Sequence, residues 1–365
     1  MLNMIRGWGA SVAAEAAARI GVLAEKNGEI GWLAKSLTAS YQAYIAGRLS
    51  NASRLVDEAF QRALGEGNPT AMAWMHTMQL AVRFYRGDLT GAENHFAAGL
   101  KFFDDPIFRQ TPAGYAIAVF GRASWIAWLL GRPDAARERL TRMRAAVNAA
   151  NPHDLAWTDM HEAFLHALMR EDESAAELAA RAVGLCDKSR FPGTAALSRT
   201  ILGHARSELG NAADGIMLLR QGIDALVETG HRVGVPCYLT WLATTQLGAG
   251  GLANALETVE LALKFNSEEA VGRPETLRIR GGLYLELGDR ELAEADFRDS
   301  IALARNMGAK AWELRSTMSL ARLLMKQNRR AEAHSMLAEI YNWFTEGFDT
   351  ADLKDAKALL DELNA

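Results

Sequence analysis

The sequence predicts an all-α fold, a superhelical solenoid of about eight helical hairpins closed by a carboxy-terminal capping helix, and three observations predict it. A turn residue followed five positions later by a small residue recurs at Gly47/Ala52, Gly87/Ala92, Gly131/Ala136, Arg170/Ala175, Gly210/Gly215, Gly250/Ala255, Gly288/Ala293 and Asn328/Ala333. Successive turns lie 40, 44, 39, 40, 40, 38 and 40 residues apart, a period that belongs to units able to bury their apolar faces only by stacking on one another. Between turns the apolar residues recur at three and four spacing, as in Ala293, Phe297, Ile301 and Ala304, and no window alternates as a half-buried strand would.

Taken in order, the opening segment MLNMIRGWGASVAAEAAARIG reads as part of a first amphipathic helix, because Glu15 and Arg19 interrupt it before an apolar run reaches the length of a signal-peptide core. The chain has 8 prolines. Pro69, Pro106, Pro112, Pro152, Pro192, Pro236 and Pro274 fall in or beside connections between units, and Pro133 follows a turn glycine as an early helical residue. The long interval between Gly87 and Gly131 contains FDDPIFRQTPAG, which places a hinge or kink near residues 101–115. Ala113 to Leu130 is the most membrane-like stretch, yet Arg122 near its middle argues for a buried solenoid helix.

Further along, Gly248-Ala249-Gly250-Gly251 follows a helical segment and keeps the repeat register, so it reads as an inter-helix turn and not a nucleotide loop. In the seventh unit Leu277 to Leu287 forms the first helix, Gly288-Asp289 the turn and Arg290 to Asn306 the second helix. The small residue after each turn lets the two helices approach closely. At the end, Trp343, Phe344 and Phe348 pack across the last repeat and Asp349-Thr350 opens a helix from Asp352 to Leu363. Its one-sided polarity suits residues 343–365 to a cap, which favours a complete carboxy terminus, whereas the amino terminus has no comparably polar end. The whole of 1–365 reads as one solenoid.

Composition narrows the function. With 40 Lys and Arg against 44 Asp and Glu, the formal charge of -4 supplies no basic field for a phosphate backbone, so nucleic acid is not an expected partner. Cys186 and Cys237 are isolated in apolar surroundings, as in a reducing compartment, and a soluble cytoplasmic protein without membrane contact is expected.

Set against the 34-residue tetratricopeptide pattern, Gly281, Tyr284, Gly288, Ala293 and Phe297 fall at that family's positions. Leu320, Ala321, Asn328, Ala333 and Leu337 agree in the eighth unit, Gly87, Ala92 and Phe96 in the second, and Leu202, Gly203 and Gly210 in the fifth. Arg170 stands where Gly or Asn is expected. The chain therefore resembles tetratricopeptide-repeat (TPR) proteins, with somewhat longer helices. A narrower likeness covers Gly272 to Leu363, through Trp312-Glu313-Leu314-Arg315 and the run Trp343 to Thr350. It resembles the TPR tail of bacterial signalling proteins that join a class III adenylate or guanylate cyclase domain to a P-loop ATPase. The chain has no G-x-x-x-x-G-K-[ST] sequence and no paired-aspartate region on strands, so the resemblance carries over no catalytic residue and implies a regulatory portion.

No catalytic constellation emerges and no cofactor is implied. In His161-Glu162-Ala163-Phe164-Leu165-His166 the histidines are five apart, about 140° around a helix, and cannot share one metal as H-E-x-x-H does. In the TPR register the concave face of units two to four shows Trp74, Phe84, Tyr85, Trp125, Trp128, Trp157 and Phe164, and that of the last two units shows Arg278, Arg315, Arg322 and Lys326. The rings would grip an apolar segment or fill space between long helices, and the cations would pair with acidic groups of a partner or with Glu286 and Glu313. The expected function is a non-enzymatic scaffold holding a protein or peptide in its concave groove. The alternatives are a small-molecule sensor with an aromatic-lined groove and a remnant of a longer cyclase-type protein.

Overall fold

The computed structural model describes residues 31–103, 108 and 114–364. The expected first helix before residue 31, and most of the expected kink, lie outside the described residues. Within them seventeen α-helices follow one another as eight antiparallel hairpins and a final helix. The hairpins are α1 (Gly31–Ile45) with α2 (Leu49–Glu66), α3 (Pro69–Tyr85) with α4 (Leu89–Gly99), α5 (Gly114–Leu129) with α6 (Pro133–Ala145), and α7 (Pro152–Met169) with α8 (Asp172–Ser189). They continue with α9 (Pro192–Glu208) and α10 (Ala212–Glu228), α11 (Val235–Gly248) and α12 (Leu252–Phe265), α13 (Arg273–Glu286) and α14 (Arg290–Met307), and α15 (Lys310–Lys326) and α16 (Arg330–Tyr341). Helix α17 (Ala351–Asn364) ends the stack.

All eight expected bends carry left-handed backbone. Gly47, Gly87, Gly131, Gly210, Gly250 and Gly288 have φ between 72° and 91°, and Arg170 and Asn328 both have φ 62°. Five residues past each bend the small side chain is buried: Ala52, Ala92, Ala136, Ala175, Ala255, Ala293 and Ala333 are all inaccessible. A methyl group there lets the second helix of a hairpin lie against the first. Prolines at the first or second position open α3, α6, α7, α9, α11 and α13, where a missing N–H costs nothing. Asn68, Asp88, Asn151 and Asp289 cap their helices by accepting from backbone N–H groups at 2.8 to 3.1 Å.

The helices form two layers with different burial. In α2 only Leu49, Ala52, Val56, Ala59 and Ala63 are buried, a single stripe, as expected of an outer helix with one face to solvent. Helix α3 is buried at every residue from Ala71 to Val82, and α7 at most of its length. These two first helices are therefore covered on both faces. The second cover comes from the chain itself: the amide N–H of Arg232 donates to Ile45 O at 2.8 Å, and that of Ala270 to Tyr85 O at 2.9 Å. Arg170 reaches Asp355, 185 residues further on. With a hairpin about every 40 residues, one superhelical turn takes between four and five hairpins, and the second turn sits directly on the first.

This winding bears on the two roles open to the aromatic residues. Trp74, Phe84, Trp125, Trp128, Trp157 and Phe164 are each less than a tenth exposed, and Tyr85 is half-buried. They pack inside the molecule, most of them against rings of their own or neighbouring units, and Trp128 meets Trp312 of the second turn. The reason is geometric: a superhelix wound this tightly brings later units against the face that the repeat register assigns to a partner.

At the carboxy end, α17 buries Leu353, Ala356, Leu359, Leu360 and Leu363 against the stack, as its pattern predicts. Only Phe344 of the expected aromatic trio is fully buried. Trp343 and Phe348 keep 45% and 49% of their surface, Trp343 lying under Lys310 Nζ at 5.1 Å and Phe348 against Tyr341 at 6.0 Å. Thr350 does not cap α17 with its hydroxyl, which instead donates to Gly347 O at 2.7 Å. No helix among the described residues is long and apolar enough to cross a membrane.

Candidate functional site: a charged cleft on the inner layer

The inner layer opens at α13, where only Pro274, Thr276, Gly281 and Leu283 are buried. Around it lies a cleft of about 340 Å³ between α7, α9, α11, α13, α15 and α17. Its walls bring together three of the four basic residues anticipated from the repeat register, Arg278, Arg315 and Arg322. Lys326 is exposed and lies outside the lining.

The arginines play different parts. Arg278 binds Glu275 through Nε and Nη2 at 2.8 and 2.7 Å, a two-pronged pair one turn apart on α13. Arg315 ties the two superhelical turns together, donating from Nε to Asp352 Oδ2 at 2.8 Å and from Nη2 to Leu168 O at 2.6 Å. Its guanidinium also lies 5.1 Å from the Trp128 ring and 5.2 Å from Trp312. Arg322 is exposed and has no ion-pair partner among the described residues. It is the guanidinium of the cleft left free for another molecule.

The acidic wall is uneven too. Asp352 and Asp355 are engaged by Arg170 at 3.3 and 2.6 Å. Burial alone would raise Glu275, but Arg278 and then Arg315 hold its carboxyl below the usual range. Asp172 has no such partner. Burial, with Glu208 and Glu173 beside it, pushes its carboxyl up to about 6, and its Oδ1 is buried without a hydrogen bond. Glu208 is raised as well, chiefly by burial. Behind them His204 stacks on Trp241 at 4.3 Å and 5°, and burial followed by the Arg315 charge lowers its pKa to about 3. The cleft thus offers a free cation and two carboxyls without an arginine or lysine partner, Glu208 lying 4.0 Å from His204 Nδ1, on one polar surface.

Five of the aromatic candidates pack against neighbouring side chains or backbone, and Tyr85 and Trp157 line a second cavity. Trp125 Nε1 donates to His161 O at 2.9 Å, Trp128 meets Trp312 edge-on at 5.0 Å, and Phe164 lies 4.4 Å from Trp125. Trp74 packs edge-on against Phe108, and Phe84 lies 6.1 Å from Trp125. The two histidines of the His161–His166 segment diverge as their spacing requires. His161 is fully buried, whereas His166 pairs at the surface with Glu162 and Glu171. Among the described residues no group of three His, Cys, Asp or Glu side chains could hold a metal ion. Glu313, read as a possible neighbour of the cleft cations, is buried and bound instead by Arg305 and Lys310 at 2.6 and 2.8 Å.

Sequence reasoning missed Arg170, Asp172, His204, Glu208, Asp352 and Asp355. One signal was present: an arginine at a bend that otherwise takes Gly or Asn. Its backbone is left-handed, and its guanidinium is bound by the two aspartates of α17. The others come from different units and carry no local spacing that would unite them.

The architecture defines a TPR-like helical-repeat protein. No protein-family model matches the chain. An uncharacterized protein of Rhizobium meliloti (strain 1021) is 27% identical over 253 residues, which cover 67% of this chain and 24% of that protein. The chain therefore matches about a quarter of the length of that relative. Among solved structures it is similar to the APC/C hetero-tetramer Cut9-Hcn1 at a TM-score of 0.57, with 13% identity over 97% of this chain and 60% of that one. A Rap protein complexed with Competence and Sporulation Factor gives 0.56, with 11% identity over 91% and 97% of the two chains. NprR in complex with its cognate peptide NprX gives 0.54, with 13% identity over 79% and 82%.

Proposed function

We propose that this chain is a non-catalytic, cytoplasmic regulatory module that holds a protein or peptide segment in the charged cleft. The observation that carries the reading is the pairing pattern of the cleft. Most of its charges are neutralised in place and give it a fixed shape, while Arg322 has no carboxylate partner and Asp172 and Glu208 have no arginine or lysine partner among the described residues. A segment bearing both a carboxylate and a cation would complete them, in charge-assisted contacts worth more than neutral ones. Two of the folds it is similar to are described in complex with Competence and Sporulation Factor or with a cognate peptide, which supports a protein or peptide ligand. The likeness of the last quarter to cyclase–ATPase tails, with the match to part of a much longer relative, supports a module that reports to catalytic domains.

The test is co-purification from the native cell with wild type, Arg322→Glu and Lys326→Glu chains. Arg322→Glu is expected to lose a partner that Lys326→Glu retains, since both remove an exposed cation and only Arg322 faces the cleft. Equal recovery by all three would discard the cleft as the binding surface.

A further inference from the structure

A second cavity, sharing no lining residue with the cleft, lies in the seam between the turns. It measures about 60 Å³ and is bounded by Tyr44, Tyr85, Arg122, Trp157 and His161 among others. Arg122, the charge inside the membrane-like stretch, is half-buried with its Nε fully buried, and it forms no ion pair with a carboxylate among the described residues. Its guanidinium is held by rings instead, 5.8 Å from Tyr85, 5.9 Å from Trp125 and 6.0 Å from Tyr44. A buried cation without a counter-ion is costly. The acid that acts on these tyrosines, Glu269, does not supply one. It accepts the Gly234 N–H at 2.9 Å, and burial raises its pKa to about 8, which leaves it protonated at neutral pH.

Three polar atoms on the same cavity are buried and unpartnered: Arg122 Nε, Trp157 Nε1 and His161 Nε2. Two are N–H donors. The third is an acceptor, because His161 Nδ1 lies 2.8 Å from Trp157 O, a carbonyl that can only accept, so the proton sits on Nδ1 and the lone pair on Nε2. One water takes about 10–15 Å³ of such space, so the cavity admits a group of about five heavy atoms.

We propose that this cavity binds a small carboxylate bearing a hydrogen-bond donor on the adjacent carbon, its oxygens taken by Arg122 and Trp157 and its donor by His161. A 2-hydroxy acid and the terminal residue of a peptide share that chemistry. This proposal does not rest on the charged cleft.

Titration of the full chain with glycolate, with acetate, and with a short peptide in free-acid and amidated forms, followed by calorimetry, separates the sources. Saturable binding of glycolate assigns the site to a free hydroxy acid, and saturable binding of only the free-acid peptide assigns it to a chain terminus. Acetate, which lacks the donor, is expected to bind at least about tenfold more weakly than glycolate. Arg122→Met removes the cation, and Trp157→Phe keeps the ring while removing its donor. Each is expected to weaken binding about tenfold or more, and the second serves if the first does not fold. Absence of saturable binding by glycolate and free-acid peptide alike, acetate binding as tightly as glycolate, or unchanged affinity in both variants would overturn the assignment.

Discussion

Asn328 shows how a single residue sets the geometry of a hairpin. Its φ of 62° is open to glycine and tolerated by asparagine, while a β-branched side chain would meet its own backbone. Asn328→Val is expected to cost about 1–2 kcal/mol in denaturant unfolding, and Asn328→Gly to stay within about 0.5 kcal/mol of wild type. Equal effects would mean that the bend does not need left-handed backbone. His166 makes the second residue-scale case. Burial disfavours its charge, yet Glu162 and Glu171 outweigh that and raise its pKa to about 9. A raised folded-state value stabilises fully below the unfolded pKa near 6.5 and is lost as pH climbs to about 9. With partial exposure discounted, the loss is about 1–2 kcal/mol. Denaturation midpoints at pH 6 and pH 9.5 should differ more in wild type than in His166→Gln.

Between elements, α9 and α10 approach closely enough to bring backbone against backbone. A Cβ at Gly203 would lie 2.8 Å from Gly215 O and 2.9 Å from Leu219 N, and one at Gly215 would lie 2.7 Å from Gly203 O. These are backbone contacts that cannot turn aside, so Gly203→Val should destabilise by roughly 1–3 kcal/mol. Ala293→Leu, at the matching contact of α14 with α13, should fall in that same rough 1–3 kcal/mol range. At Gly184 in α8 a methyl group would meet nothing within 4 Å, so Gly184→Ala should raise stability by about 0.5–1 kcal/mol through helix propensity alone. Chemical denaturation of the three variants checks the contrast, and a destabilising Gly184→Ala would contradict this packing.

For the whole molecule, the seam between turns decides the shape. Trp312 is its keystone: it meets Trp128 edge-on at 5.0 Å, and its Nε1 donates to Val271 O at 3.1 Å. Trp312→Ala should lower stability by about 3–5 kcal/mol and loosen the contact between turns, seen as a larger radius of gyration in small-angle scattering. Trp343→Ala, removing a ring that is 45% exposed, should do much less. A Trp312→Ala chain as compact as wild type would show that the turns are held elsewhere. The seam also explains why the aromatic residues of units two to four were legible as important while the choice between their two roles, gripping a segment or filling space between helices, was not. Their helical spacing says that one face is covered, and only the pitch of the superhelix says by what.

The sequence alone determined the hairpins, because a left-handed bend and a small residue five positions on are local demands met within each unit. It likewise separated His161 from His166, since angles around a helix follow from spacing. Which faces remain open was settled by tertiary structure. Arg170 meets Asp355 across 185 residues, and small rotations between neighbouring hairpins add up over such distances to choose between an open groove and stacked turns. The charged cleft and the Arg122 cavity exist because of that accumulated rotation, which no single repeat encodes.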